Sequence, residues 1–179
     1  MLRAVIFDFG HTIMNELHER DVALESRSVR FMPGIPEILP RISLPMGIWA
    51  NTRAAREQDI RYWLDKAGIN RYFKWVITSV DAGARKPDSE FFDYALERCN
   101  LGKEHLLFVG NQLNTDIRGA TSYGIESVWL SGEEYCSPHD TFDRERNLRN
   151  ARPTYTISSL MQLPSLLQSV DLQTTAPPE

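Results

Sequence analysis

Four segments of this chain place chemically capable side chains directly after apolar runs. In Phe7-Asp8-Phe9-Gly10-His11-Thr12, Asp8 ends the run Leu2–Phe7. A carboxylate there can attack phosphorus and form an acyl phosphate, splitting one displacement into two. Its other oxygen can ligate a hard cation such as Mg²⁺. Lys86, in Arg85-Lys86-Pro87-Asp88, can neutralise both a nucleophilic carboxylate and a transferring phosphoryl group. Asn111 and Asp116, in Gly110-Asn111-Gln112-Leu113-Asn114-Thr115-Asp116, offer oxygens to a cation directly or through water. Asn51 and Thr52 follow the run Met46–Ala50, where main-chain N–H groups can face an oxyanion. Each segment also has a plainer reading. Asp8 can be a loop residue making turn hydrogen bonds, Lys86 a solvated surface lysine, and 110–116 a capping loop. Arg85 reads as a surface residue or an outer substrate contact.

The elements that must position these residues alternate in type. Strands are predicted at Leu2–Phe7, Met46–Ala50, Trp75–Thr78, Leu106–Val109 and Ser127–Leu130, with an edge strand at Tyr155–Ile157. Helices are predicted at Ile35–Ile42, Arg53–Ala67, from Asp88 to about Cys99, Thr115–Tyr123 and Ser158–Val170. Alternation of this kind implies crossover units and a mainly parallel sheet of five or six strands covered by helices, a three-layer α/β, Rossmann-like fold. Ligands of such sheets bind beyond the carboxyl ends of the strands. The four segments lie at those ends, so residues far apart in sequence should converge.

The chain has 179 residues, a length that suits one domain over 1–170, a polar surface excursion at 131–152 and a flexible tail at 171–179. A net charge of −4 argues against a dedicated nucleic-acid binder. Two cysteines, Cys99 and Cys136, cannot make a disulfide framework, and a reduced, cytoplasmic setting fits. An acid at position 8 comes too early for a secretory signal. The longest uncharged stretch, Pro153–Val170, holds two prolines with serines and glutamines and is no membrane span.

Over Leu2–Leu130 the four segments, in this order, resemble the haloacid dehalogenase-like hydrolase superfamily. The flanking words Ala82-Gly83-Ala84-Arg85-Lys86-Pro87-Asp88 and Asp116-Ile117-Arg118-Gly119-Ala120 match as well. The resemblance implies a Mg²⁺-dependent phosphatase working through an aspartyl phosphate. It places the nucleophile on Asp8, the lysine on Lys86, the final acid on Asp116 and the threonine closing the first motif on Thr12.

Three positions depart from the family pattern. The general acid/base aspartate is Gly10, a loss that typically costs about 10²–10⁴-fold in rate. The main-chain carbonyl of Gly10 can still ligate the metal. The phosphate-binding serine or threonine falls on Ala50, forfeiting about 1.5–3 kcal/mol of hydrogen bonding, with the Asn51 N–H and a re-registered Thr52 as substitutes. A metal-ligating aspartate is Asn111, which keeps an oxygen and loses a charge. His11 is a candidate substitute acid/base, against the alternative of a partly exposed loop histidine. Glu16 and His18 are weaker candidates.

Only 41 residues separate Asp8 from Ala50, and 35 separate Ala50 from Lys86. The core elements use them, so neither gap holds a cap domain. An open site suits a phosphorylated macromolecule, or a small phosphorylated substrate enclosed by homo-oligomerisation. The first functional reading is therefore an Asp8-dependent phosphohydrolase with Mg²⁺ on Asp8, Gly10, Asn111 and Asp116. Its alternative is a catalytically impaired binding or scaffold module. Carbon–halogen hydrolysis is disfavoured, because a small apolar substrate needs a cap.

Overall fold

The computed structural model describes residues 1–179 except 17, 18, 20, 137–143 and 176–179. The sheet has six strands: β1 (Ala4–Phe7), β2 (Met46–Ala50), β3 (Phe73–Thr78), β4 (Leu106–Gly110), β5 (Glu126–Leu130) and β6 (Tyr155–Ile157). All neighbours pair in parallel, in the order β3-β2-β1-β4-β5-β6. The helices are α1 (Ile35–Ile38), α2 (Glu57–Lys66), α3 (Ser79–Ala82), α4 (Ser89–Cys99), α5 (Arg118–Tyr123), α6 (Arg144–Ala151) and α7 (Leu163–Thr175).

Side-chain alternation along the central strands splits the core in two. Val5 and Phe7 of β1 face a cluster shared with Ile35, Ile60, Trp63, Leu64 and Leu163, so α1, α2 and α7 cover that face. Ala4 and Ile6 face the opposite cluster with Phe91, Phe92, Ala95 and Ala120 of α4 and α5. A strand buried on both faces needs apolar residues at every position, and Ala4-Val5-Ile6-Phe7 supplies them. Trp63 is fully buried, edge-on to Phe9 with ring centroids 5.4 Å apart. Truncating such a side chain costs about 3–5 kcal/mol.

Several helix boundaries differ from the sequence reading, two of them near the site. Helix α2 begins at Glu57 rather than Arg53. Its first N–H is taken by Asp81, whose Oδ2 accepts from the Glu57 amide at 2.7 Å. Thr52 and Arg56 are instead tied to Ser79 and Asp81 of α3. The helix after β4 opens as a turn of π-helix over Leu113–Ile117 before α5. The amide of Ile117 there reaches back to Gln112 O at 3.2 Å. Such turns frequently mark functional sites. The Ile35 helix continues past Ile38 as a tighter turn over Leu39–Arg41, and α7 runs on to Thr175.

The segment after β5 also enters the core: Tyr135 is fully buried, and its hydroxyl donates to Pro33 O at 2.7 Å. Among the described residues, no helix is long and apolar enough to cross a membrane.

Candidate active site

Strand order reverses direction at the β1/β4 pair, and the carboxyl ends of those strands flank a crevice. Phe7 pairs with Val109 there, and the Asp8 amide donates to Val109 O at 2.9 Å. The two segments that begin at Asp8 and Gly110 therefore start side by side. Gly110 must lack a side chain, since a Cβ at that position would stand 2.6 Å from Asp116 Oδ2.

Lys86 is the hub. Its Nζ donates to Asp8 Oδ1 at 2.8 Å, to Asp116 Oδ1 at 2.8 Å and to Trp49 O at 2.7 Å, which uses all three ammonium hydrogens. It also lies 4.9 Å from the centre of the Phe108 ring. All three charged residues are buried: 7% exposure for Asp8, 1% for Lys86 and 1% for Asp116. Burial pushes the lysine toward its neutral form, but the carboxylates of Asp116 and Asp8 outweigh it and hold the ammonium above its ordinary pKa. Burial, reinforced by the Asp8 charge, pushes the Asp116 carboxyl up to about 6 against the pull of Lys86. The surface reading of Lys86 is thereby excluded.

The main chain of Lys86 is fixed from β2. Asn51 Nδ2 donates to Lys86 O at 2.8 Å, and Asn51 Oδ1 accepts from Lys86 N at 2.9 Å. This clamp was not legible in the sequence, where Asn51 matters only for its amide N–H. Thr52 is more committed than expected. Its hydroxyl donates to Ala55 O at 2.6 Å, and its N–H donates to Ser79 Oγ at 2.9 Å. Ser79, the first residue after β3, ties the β2 and β3 ends together.

Asn111 is 4% exposed, with Thr12 Oγ1 donating to its Oδ1 at 3.2 Å. Its Nδ2 donates to Tyr135 O at 2.8 Å. The carbonyl of Tyr135 needs a donor, which an aspartate could not supply, so Tyr135 favours the amide at position 111. His11 is not the partly exposed loop residue of the plainer reading. It is 1% exposed with φ 57°, and its amide donates to Met14 O at 2.8 Å. His18 lies outside the described residues.

Asp8, Gly10, His11, Asn51, Thr52, Lys86 and Asp116 line one cleft of about 900 Å³. The exposed side chains of Arg53 and Arg85 stand at its rim. Glu16, Asp21, Val22, Ala23, Leu24 and Arg27 form a further wall of the cleft. That wall is pinned where Arg27 Nη1 donates to Glu16 Oε1 at 2.9 Å and where Ser28 N and Oγ donate to the Glu19 carboxylate at 2.8 Å. The Asp21–Arg53 ion pair, at 3.4 Å, joins the wall to the opposite rim.

The donors suit a hard divalent cation. Two carboxylates share one ammonium in a buried setting, an arrangement that a bound cation would balance. The Asp8 carboxylate, the Gly10 carbonyl, the Asn111 amide oxygen and Asp116 are all oxygens of the kind Mg²⁺ takes. Among the described residues no cluster of three or more His, Cys, Asp or Glu side chains is poised for a metal. A neutral amide and a main-chain oxygen would complete the set, which makes a weaker site than carboxylates alone.

Comparison with known proteins identifies relatives of the chain as a whole. The family model described as haloacid dehalogenase-like hydrolase matches residues 12–130, beginning four residues after Asp8. The pyrimidine 5'-nucleotidase YjjG of Escherichia coli (strain K12) is 32% identical over 139 residues, covering 76% of this chain and 56% of that protein. A glyceraldehyde 3-phosphate phosphatase of Methanocaldococcus jannaschii is 34% identical over 113 residues, 62% of this chain and 46% of that one. The chain thus spans about half the length of these relatives. Among solved structures, an uncharacterized protein from Listeria monocytogenes serotype 4b superposes with TM-score 0.76 at 26% identity, covering 96% of this chain and 99% of that one. The magnesium-bound putative hydrolase YfnB of Bacillus subtilis superposes with TM-score 0.74 at 18% identity, over 93% and 98% of the two chains, a likeness of fold.

Proposed function

The chain belongs to the haloacid dehalogenase-like hydrolases, and on that premise we propose that it hydrolyses phosphate monoesters through an aspartyl phosphate on Asp8. The observation that carries this reading is the buried trio of Asp8, Lys86 and Asp116 at the reversal of strand order. Lys86 holds Asp8 Oδ1. The other oxygen, Oδ2, is then the nucleophile. Its bond to phosphorus forms as the ester P–O bond breaks, and water later attacks phosphorus to regenerate Asp8. The Lys86 ammonium sits where negative charge accumulates in both steps, preorganised by Asn51 and costing no rearrangement during reaction. The Asn51 main-chain N–H would meet a phosphoryl oxygen, with Thr52 shaping that edge of the cleft. Asp8, Gly10, Asn111 and Asp116 would hold Mg²⁺, which when bound neutralises phosphoryl charge.

The cleft has room for a phosphorylated small molecule of nucleotide size. The two named relatives, a pyrimidine 5'-nucleotidase and a glyceraldehyde 3-phosphate phosphatase, make nucleoside monophosphates and sugar phosphates the first substrates to try. Two unpaired thiols suit a reducing compartment such as the cytoplasm.

The test is turnover of p-nitrophenyl phosphate and a panel of natural phosphate esters with Mg²⁺. Wild type should turn over, and Asp8→Asn should fall to background. Equal rates for the two proteins would sink the reading. A second reading, a binding module without turnover, is favoured by Ala50 and Asn111. Saturable binding of inorganic phosphate with no turnover of any ester would support it instead.

A further inference from the structure

A phosphate monoester with an alkoxide leaving group needs a proton at the moment its P–O bond breaks. The hydrolytic step needs a group to take one from water. Neither Asp8 nor Asp116 can serve. Asp8 is the nucleophile, and Asp116 is 1% exposed with Oδ1 on Lys86 and Oδ2 accepting from Gln112 N at 3.1 Å. Asp21 projects from the rim with a side chain 94% exposed. Asp88 is exposed at the start of α4. Among the described residues that line the cleft, one further carboxylate remains, that of Glu16, and its placement is specific. A Cβ built on Gly10 would stand 2.8 Å from Glu16 Oε2, 2.9 Å from Cδ and 3.2 Å from Oε1. The whole carboxylate therefore fills the room that a side chain at residue 10 would take, two residues beyond the nucleophile. Its side chain is 21% exposed, and Arg27 holds it there through Oε1.

We infer that Glu16 is the general acid and base of this site, delivered to the position beside Asp8 from the cleft wall instead of from residue 10. The inference rests on the phosphohydrolase reading above. In the first step an Asp8 oxygen bonds to phosphorus, the P–O bond to the leaving group breaks, and the leaving oxygen takes the Glu16 proton. In the second, water bonds to phosphorus and passes a proton to the Glu16 carboxylate as the P–O bond to Asp8 breaks. Protons balance over the cycle. Glycine at residue 10 is then a requirement of the arrangement, because any Cβ there displaces the carboxylate.

The experiment compares two substrates on each of several full-length proteins with Mg²⁺: p-nitrophenyl phosphate, whose phenolate leaves without help, and an alkyl phosphate, whose alkoxide does not. The readout is the ratio of kcat values, so a partial loss of folded protein cancels. Glu16→Gln keeps an oxygen to accept from Arg27 but has no proton to give. It should lose about 10²–10⁴-fold on the alkyl phosphate and far less on the aryl one. Glu16→Ala should behave alike, and Gly10→Asp in the Glu16→Ala background should recover alkyl turnover. Equal losses on both substrates, or no loss, would overturn the role of Glu16 while leaving Asp8-dependent turnover standing. Absence of turnover by the wild type, or turnover that survives Asp8→Asn, would overturn the phosphohydrolase reading and this inference with it.

Discussion

Asn51 grips the backbone of Lys86 with both ends of its amide, at 2.8 Å and 2.9 Å, across 35 residues of sequence. The ammonium that reaches Asp8 and Asp116 is therefore aimed from β2, not by its own loop alone.

Asn51→Ala removes two hydrogen bonds and leaves the main chain of residue 51 intact. The variant should lose about 1–3 kcal/mol of stability, or about 2–4 °C in Tm for each kcal/mol in a domain of this size. Its kcat should fall more than its KM rises, because the released lysine no longer meets the developing charge. Thermal melts and steady-state kinetics read both. An unchanged kcat would show that Lys86 holds its place without the clamp.

Asn111→Asp tests why an amide stands among the oxygen donors. The carboxylate gains a charge for Mg²⁺ but loses the N–H that meets Tyr135 O. Without metal the variant should melt below wild type, by about 1–3 kcal/mol in stability. Its Tm should then rise more steeply with Mg²⁺, since binding to the native state stabilises it by mass action. Parallel melts with and without Mg²⁺ decide it.

Asp116 should leave a signature in the pH dependence of stability. Its folded pKa is pushed up to about 6, above its ordinary value near 3.8. Between those values the native state binds more protons than the unfolded state, so this group's contribution is full at the acid end. It is lost as pH rises through about 6. In metal-free buffer, wild-type stability relative to Asp116→Asn should decline from pH 4 to 7 and then level off. Urea melts across that range measure it, and a difference that grows with pH would contradict the placement of Asp116.

The two thiols should differ sharply in reactivity. Cys136 is exposed, whereas Cys99 is buried on α4 and its pKa is pushed up, chiefly by that burial, to about 11. A thiol-specific reagent at pH 8 should label one cysteine per native chain quickly, and the second only on unfolding. Cys136→Ser should abolish the fast phase.

The parallel sheet and the three site segments around Asp8, Lys86 and Asp116 were legible in the sequence, because each is a local signal: an apolar run followed within eight residues by a chemically capable side chain. The start of α2 was not. Whether Arg53 or Glu57 opens the helix depends on Asp81 from the next crossover, which accepts the Glu57 amide. The roles of Asn51 and Asn111 were hidden for the same reason, since their partners, Lys86 and the Tyr135 carbonyl, are set by packing.

By itself, then, the chain's order of residues determined the strands, the larger helices between them and the carboxylates and lysine beyond the strand ends, since burial and backbone propensity act over short spans. Tertiary structure alone decided which groups meet. It seated Lys86 between two carboxylates, pressed His11 into the interior and laid Glu16 over Gly10. Those contacts join residues whose separation in sequence carries no trace of their distance in space.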